Sequence, residues 1–232
     1  MVITHNWWEN EPEWDGGEFY VVKQGACRRV ILVHGIWHNR LWLSLLARRL
    51  RLSGYQVETF GYSTVWSDPD AVTHRLAAAL SRFQVDAVVA HSLGGLITLE
   101  TLRRFSVQQV RRVVCLGSPL AGSAAARTVV RWRLGCLLGR FAPLVCRGVQ
   151  GWKGTAEIGH ICGDKPCGLG YLLGIRAHSD GTVRCDETSI DGMAAQCFVN
   201  VSHSALLFSA HVAADVASFL RTGRFTANRS GF

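Results

Sequence analysis

Short apolar runs and helical repeats of apolar residues follow one another along most of the chain. Seven short apolar or alternating segments predict β-strands, at residues 18–22, 28–33, 56–60, 86–90, 112–116, 156–162 and 196–201. The segment at 86–90 is continuously apolar, which is typical of a central parallel strand covered on both faces.

Between these segments, apolar residues recur at the spacing of one helix face. This spacing predicts four helices: one from the N-cap Asn39 to Gly54, one that starts at Pro69 after the N-cap Asp68, and residues 93–104 and 205–220. Strands and helices that alternate in this way predict an α/β fold with a doubly wound, mostly parallel sheet and right-handed crossovers.

The bulk composition indicates one folded domain. The 232 residues allow a single core, and the 48% hydrophobic and 18% charged shares are those of a globular chain. We interpret residues 1–17 as an irregular N-terminal arm. Because the start lacks a basic segment followed by an apolar one, and because no apolar run of membrane-spanning length occurs, we expect a cytoplasmic protein.

The cysteines do not predict a metal site. None of the eight forms a C-x-x-C pair, and no histidine–cysteine cluster has the spacing of zinc ligands. Cys162 and Cys167 flank a loop and could pair in an oxidising compartment, whereas in a cytosol they would stay reduced. We therefore predict mostly free thiols, with no metal and no cofactor.

Ligands of doubly wound sheets bind at the carboxyl ends of the strands, so candidate chemistry is sought there. The strand at 86–90 leads into the turn Ala90-His91-Ser92-Leu93-Gly94-Gly95, which opens a helix. A serine on such a strand-to-helix elbow presents its hydroxyl clear of the backbone, and small neighbours relieve the crowding. Ser92 is therefore the predicted nucleophile, although a buried turn serine would fit the same residues.

A serine nucleophile needs a histidine base and a carboxylate that orients it. Of the nine histidines, His203 lies between the last predicted strand and the last helix, and it is our candidate base. Asp180, in the turn Ser-Asp-Gly-Thr-Val, is the candidate acid because the chain order Ser, Asp, His is the one expected of a strand-elbow nucleophile. Asp164, which follows a strand, is its rival.

Backbone N–H groups are the expected oxyanion donors. The residue after the nucleophile, Leu93, supplies one, and Ile36, after the strand-ending His34-Gly35, supplies the other. Trp37 either replaces Ile36 as donor or lines the acyl pocket. We name Trp37 and His91 as the candidate substrate-binding residues.

Five motifs in this order resemble the α/β-hydrolase superfamily, in particular its bacterial lipase and esterase branch. The motifs are V-H-G at 33–35, A-H-S-L-G-G at 90–95, L-G-S-P-L-A-G-S at 116–123, S-D-G-T-V at 179–183 and S-H-S-A-L-L at 202–207. The third lacks the histidine of the lipase G-T-P-H-x-G-S pattern. The resemblance implies the α/β-hydrolase fold and hydrolysis of ester, thioester or amide bonds without a metal or organic cofactor.

The formal charge of +8 is concentrated in one segment. Residues 119–155 contain no acidic residue and interleave six basic residues with apolar ones. In this fold such an insertion often covers the active site as a cap or lid, although it also fits a solvated pair of surface helices. A basic amphipathic segment suits an anionic lipid surface or an acidic carrier protein. No nucleic-acid-binding motif accompanies the charge, so nucleic acid is not an expected partner.

Three functions compete at this point. The first is a serine carboxylesterase or lipase acting on a small-molecule acyl ester. The second is a thioesterase or esterase acting on acyl groups borne by an acidic carrier protein. The third, outside enzymology, is a catalytically silent relative used for binding, although the retained serine, histidine and aspartate argue against it.

Overall fold

The structure of the protein is a computed structural model that describes residues 29–167 and 178–226. The strands are β1 (Arg29–Val33), β2 (Gln56–Phe60), β3 (Ala87–His91), β4 (Arg112–Leu116), β5 (Glu157–Gly163) and β6 (Ala195–Val199). The α-helices are α1 (Ser44–Leu52), α2 (Pro69–Arg82), α3 (Leu93–Arg104), α4 (Ala124–Arg131), α5 (Ala142–Arg147) and α6 (Ala210–Thr222). Predicted strand 18–22 and the arm at 1–17 lie outside the described residues.

The six strands form one parallel sheet in the order β2-β1-β3-β4-β5-β6. Every residue of β3 is buried, which confirms the predicted central strand. The two sets of alternating strand residues enter separate apolar layers: Ile31 and Val88 pack with α2 and α3, whereas Leu32 and Val89 pack with α1 and α6. The doubly wound α/β architecture predicted from the sequence is therefore present.

Two predicted helices are divided by local hydrogen bonds. The helix capped by Asn39 begins as the 3-10 turn Arg40–Leu43, where the Asn39 side chain accepts from the Leu41 N–H group, and α1 continues from it. The predicted helix at 205–220 is a 3-10 turn, Ser204–Leu207, followed by α6. Ser209 causes this second break because its hydroxyl caps α6 by accepting from the Val212 N–H group.

The segment between β4 and β5 folds as α4, a 3-10 stretch (Gly135–Phe141) and α5. It contacts the loops that follow β1 and β2, since the Trp37 indole N–H donates to the Leu137 carbonyl at 2.9 Å and the fully buried Phe141 ring packs edge-on against Tyr62. These contacts place the segment at the carboxyl edge of the sheet. Within the described residues, no helix has the length and apolar character that a membrane span requires.

Candidate active site

Ser92 occupies a strained elbow between β3 and α3. Its φ of 53° and ψ of −123° lie outside the conformations that non-glycine residues ordinarily adopt. Neighbouring glycines make the turn possible, because a Cβ on Gly35 would come within 2.7 Å of Ser92 Cβ and one on Gly94 within 2.6 Å of the Val33 carbonyl oxygen. The Ser92 hydroxyl does not cap α3, so the helix leaves that oxygen available.

Asp180 and His203 form a buried pair at the same edge of the sheet. Asp180 Oδ2 lies 2.6 Å from His203 Nδ1, and the carboxylate is fully buried. The other oxygen, Oδ1, accepts from the Thr182 and Val183 N–H groups at 2.9 and 2.8 Å. The His203 N–H group donates to the Asp180 carbonyl at 2.9 Å, which ties the two loops together. This geometry fixes the imidazole with its Nδ1 toward the carboxylate.

The end of β4 connects the serine to this pair. The Ser92 N–H group donates to the Leu116 carbonyl at 2.9 Å, and the next residue, Gly117, has a φ of 54°. A Cβ on Gly117 would lie 2.8 Å from Asp180 Oδ2 and 3.0 Å from His203 Nδ1. Because Gly117 has no side chain, Asp180 and His203 can occupy this space. Sequence reasoning gave Gly117 no role, and the signal for it is its place one residue beyond a strand end.

The described contacts include no hydrogen bond between the Ser92 hydroxyl and the His203 ring. Nucleophile–base hydrogen bonds are often looser before substrate binds and tighten in the complex. Ser92 and His203 are nevertheless neighbours through His91, whose ring centroid lies 4.7 Å from that of His203 and which directly precedes the serine.

The predicted oxyanion donors lie beside the elbow. Leu93 is the first residue of α3, where helix N–H groups have no intrahelical partner. The Trp37 N–H group donates to the Thr64 hydroxyl at 3.2 Å, whereas no described residue accepts a hydrogen bond from the Ile36 N–H group. Because the Trp37 N–H group already has an acceptor, Ile36 is the better candidate of the two for an oxyanion donor.

His91 cannot line a substrate pocket in this structure, in contrast to the sequence expectation, because its side chain is fully buried. The residue before the elbow serine points into the molecule. His91 Nε2 lies 3.2 Å from the His203 carbonyl oxygen, so the ring supports the backbone of the loop that carries His203. Burial, with a contribution from His203, holds the pKa of His91 well below its ordinary value, so the ring is neutral. Trp37, with 58% exposure, does present its indole at the surface.

The rival acid, Asp164, lies with a different histidine. Its Oδ1 is 3.9 Å from His178 Nδ1, and its side chain remains 32% exposed. A partly exposed carboxylate at this distance does not fix an imidazole as the buried Asp180 does. Of the other histidines, His211 is exposed on α6. His160 is buried within β5, and burial lowers its pKa to about 4.

Glu187 is a second residue that sequence reasoning missed. Its buried carboxylate accepts from the Ala124 N–H group at 2.6 Å and from the Arg184 N–H group at 3.1 Å, and burial raises its pKa. It therefore joins the start of α4 to the hairpin that carries Asp180. The Arg184 contact is a local cap of the 3-10 turn, whereas the Ala124 contact spans 63 residues and no local pattern identifies it.

A cavity of about 390 Å³ lies at the opposite, amino-terminal edge of the sheet. Its charged residues pair with one another, as Arg112 does with Glu157 at 2.6 Å and Arg111 with Asp86 at 3.2 Å. The cavity is therefore separate from the serine, histidine and aspartate, and four of its charged residues pair with one another.

Known structures share this architecture at low sequence identity. A metagenomic carboxyl esterase is similar with a TM-score of 0.60 and 18% identity over 77% of this chain, which spans only 65% of that protein's length. The pyrethroid hydrolase PytH is similar with a TM-score of 0.61 and 14% identity over 85% of this chain and 99% of its own. The bottromycin epimerase BotH is also similar, with a TM-score of 0.54 and 17% identity over 84% and 92%.

These similarities show the fold alone, because the same fold serves esterases and an epimerase. A search of curated proteins found no match to this chain. Residues 30–222, however, match the alpha/beta hydrolase family over most of the sequence. The chain is therefore a member of the alpha/beta hydrolase family.

Proposed function

We propose that this protein is a serine hydrolase that cleaves carboxylic esters with hydrophobic acyl groups, through Ser92, His203 and Asp180. The observation that carries the proposal is the buried 2.6 Å contact between Asp180 and His203 beside the strained Ser92 elbow. A binding protein would gain nothing from a strained serine next to a carboxylate-oriented imidazole, whereas acyl transfer needs both.

The chemistry follows from the tautomer that Asp180 selects. With the proton of His203 on Nδ1 and donated to Asp180, the lone pair of Nε2 is free to accept the Ser92 proton as the hydroxyl attacks the acyl carbon. The protonated imidazole then gives that proton to the leaving alkoxide, and water hydrolyses the acyl-enzyme by the same steps. The N–H groups of Leu93 and Ile36 would stabilise the oxyanion, an effect of about 3–4 kcal/mol per donor in a comparable hydrolase.

A rim of exposed apolar side chains supports a hydrophobic substrate. Nine large apolar side chains in the segments that follow β1, β2, β4 and β6 are 40–84% exposed: Trp37, Leu41, Trp42, Trp66, Val130, Trp132, Leu134, Leu137 and Phe208. We call these residues the apolar rim. Leu52, exposed at the end of α1, is the one large exposed apolar residue of the described chain outside the rim. Exposed apolar groups concentrated at one edge are typical of an interaction surface.

Two residues of the apolar rim, Trp42 and Phe208, connect to the candidate site through ring contacts. Trp42 packs against Phe208 with ring centroids 5.9 Å apart, and it meets His38 edge-on at 4.6 Å. His38 in turn contacts His91, which contacts His203. A substrate or surface that covers Trp42 is therefore connected to His203 through two intervening rings, those of His38 and His91.

The charge of this edge fits an anionic lipid surface. The segment 119–155 carries Arg131 and Arg133 beside the rim residue Trp132, and it contains no carboxylate to neutralise them. Tryptophans with arginines are the combination that favours the interface of an anionic membrane. An acidic carrier protein would use the same charges but has no need of nine exposed apolar side chains. We therefore favour an ester presented in or near lipid over a carrier-bound thioester.

The first test is hydrolysis of p-nitrophenyl acetate, butyrate, octanoate and palmitate by the wild type, Ser92→Ala and Ser81→Ala. Ser81 is an exposed serine of α2 and serves as the matched control. We expect turnover in the wild type and Ser81→Ala, with kcat/KM rising toward the longer acyl chains, and a loss of at least about 10³-fold in Ser92→Ala. A folded wild type with no turnover of any ester would contradict the proposal.

The second test compares binding to phosphatidylglycerol and phosphatidylcholine vesicles. We expect cosedimentation with the anionic vesicles, weakened by Trp132→Ala and by added salt but not by Leu52→Ala, with turnover of the acetate ester unchanged in both variants. Equal binding of the wild type and Trp132→Ala would refute the lipid surface. Salt-sensitive turnover of an acyl carrier protein, with no vesicle binding, would favour the carrier-bound substrate instead.

A further inference from the structure

We propose that Cys162 and Cys185 are a thiol–disulfide site, and that their disulfide clamps the hairpin carrying Asp180 to the end of β5. The formation of this bond is independent of the proposed function, since it concerns two cysteines that take no part in acyl transfer.

The two sulfur atoms are already in contact. Cys162 Sγ lies 2.9 Å from Cys185 Sγ, and both thiols face the Gly163 carbonyl oxygen, at 3.3 and 3.7 Å. Cys162 is the sixth residue of β5, and Cys185 begins the 3-10 turn Cys185–Glu187. Bonding therefore needs only a small movement of one side chain, and no rearrangement of the strand. The thiol that Cys162 contacts is Cys185, whereas the sequence had left open a pairing with Cys167.

The contact lies at the base of the hairpin that holds the candidate acid. Ser179 and Arg184 pair as an antiparallel bridge, and the Cys185 N–H group donates to the His178 carbonyl at 2.8 Å. Asp180 is near the tip of this hairpin. The end of β5 presses against it, because a Cβ on Gly163 would lie 2.8 Å from Asp180 Cβ. A Cys162–Cys185 bond would thus join the two elements that define the position of Asp180.

The two thiols differ in accessibility, which sets the order of the reaction. Cys162 is fully buried, and its hydrogen bond to Cys185, together with burial, raises the pKa of its thiol. Cys185 is half-buried and borders a cavity of about 400 Å³, lined also by His178, Asp186 and Phe198. A small oxidant can therefore reach Cys185 first, whereas Cys162 can be reached only from within the protein.

The oxidant we name is a low-molecular-weight disulfide such as oxidised glutathione. The Cys185 thiolate attacks one of its sulfurs, a mixed disulfide forms, and one small thiol leaves. Cys162 then loses its proton and attacks the Cys185 sulfur, which displaces the second small thiol. In total the two protein thiols lose two electrons and two protons, and the small disulfide is reduced to two thiols.

The test incubates the full chain in oxidised or reduced glutathione, blocks remaining thiols by alkylation, and maps disulfide-linked peptides. Wild type, Cys185→Ser, Cys162→Ser and the control Cys136→Ser, an exposed cysteine remote from the pair, are compared. We expect a Cys162–Cys185 peptide in oxidised wild type and Cys136→Ser, and a melting temperature about 5 °C higher than in the reduced form. A reducing agent should reverse both changes.

Cys185→Ser keeps the buried Cys162 and should fold. It therefore separates the effect of the disulfide on the melting temperature from any effect of changed core packing. Its melting temperature should not respond to the oxidant. Absence of the linked peptide from oxidised, folded wild type would overturn the proposal. A linkage of Cys162 to another cysteine, or a linked protein with an unchanged melting temperature, would do so as well. None of these readouts uses esterase activity, so a failure here is distinct from a failure of the proposed function.

Discussion

Replacing Asp180 by asparagine tests whether this carboxylate sets the tautomer of His203. Asp180 Oδ1 accepts two backbone N–H groups, from Thr182 and Val183, so the asparagine oxygen should keep that position. Its amide nitrogen would then face His203 Nδ1, where Oδ2 stands now. Two donors cannot face each other, so Nδ1 must become the acceptor and the imidazole proton must move to Nε2.

In that tautomer Nε2, the nitrogen proposed to accept the Ser92 proton, already carries a proton and cannot accept another. The same change in a serine protease lowers kcat by about 10⁴-fold, which corresponds to about 5 kcal/mol in the activation free energy. We expect a loss of similar size in Asp180→Asn. We expect only a small change in melting temperature, because the asparagine keeps the shape of the side chain and the two bonds to Oδ1.

The assay is kcat/KM for p-nitrophenyl butyrate near neutral pH, with Asp164→Asn as the matched control. Asp164 is the partly exposed rival, 3.9 Å from His178, and its variant should keep activity within about twofold of the wild type. A folded Asp180→Asn within tenfold of the wild type would refute this reasoning. A large loss in Asp164→Asn would instead assign the acid role to that residue.

Three further results are expected. Gly95→Ala should lower the melting temperature and the activity together, because a Cβ there would come within 2.7 Å of Ser118 Cβ in a fully buried setting; a melting curve like that of the wild type would contradict this. Stability should fall as the pH drops from about 6.5 toward 4, since a buried His160 with its pKa lowered to about 4 takes up its proton less readily than in the unfolded chain. This residue should account for about 3 kcal/mol of the lost stability. The melting temperature of His160→Asn should therefore fall less between about pH 6.5 and 4 than that of the wild type. An equally steep fall would exclude His160 as a cause of the acid sensitivity. His91→Leu should lower kcat about tenfold with KM unchanged, because the ring no longer supports the His203 carbonyl, and His91→Gln, which keeps a donor, should lose less.

The sheet and the elbow could be predicted because their signals are local. Buried parallel strands such as β3 are short apolar runs, and the elbow needs small residues at fixed positions around Ser92. His203 was predicted from its place after the last strand, and Asp180 from the chain order Ser, Asp, His. The structure places these two residues in contact, whereas the role of Ser92 as nucleophile stays a prediction until it is labelled.

Features that depend on distant contacts could not be predicted. Cys185 meets Cys162 only because the hairpin folds back on β5, and Glu187 reaches α4 by the same return of the chain. The break before α6 was missed because Ser209 suits a helix position as well as a cap. His91 was named as a substrate-binding residue, whereas the structure buries its side chain completely.

The most direct test of the central claim is labelling with a fluorophosphonate probe, followed by intact mass and peptide mapping, on the wild type and Ser92→Ala. We expect one adduct per wild-type molecule, on the peptide that contains Ser92, and none on the folded variant. An adduct on another serine, or a folded wild type that stays unlabelled, would contradict the assignment of Ser92 as the nucleophile.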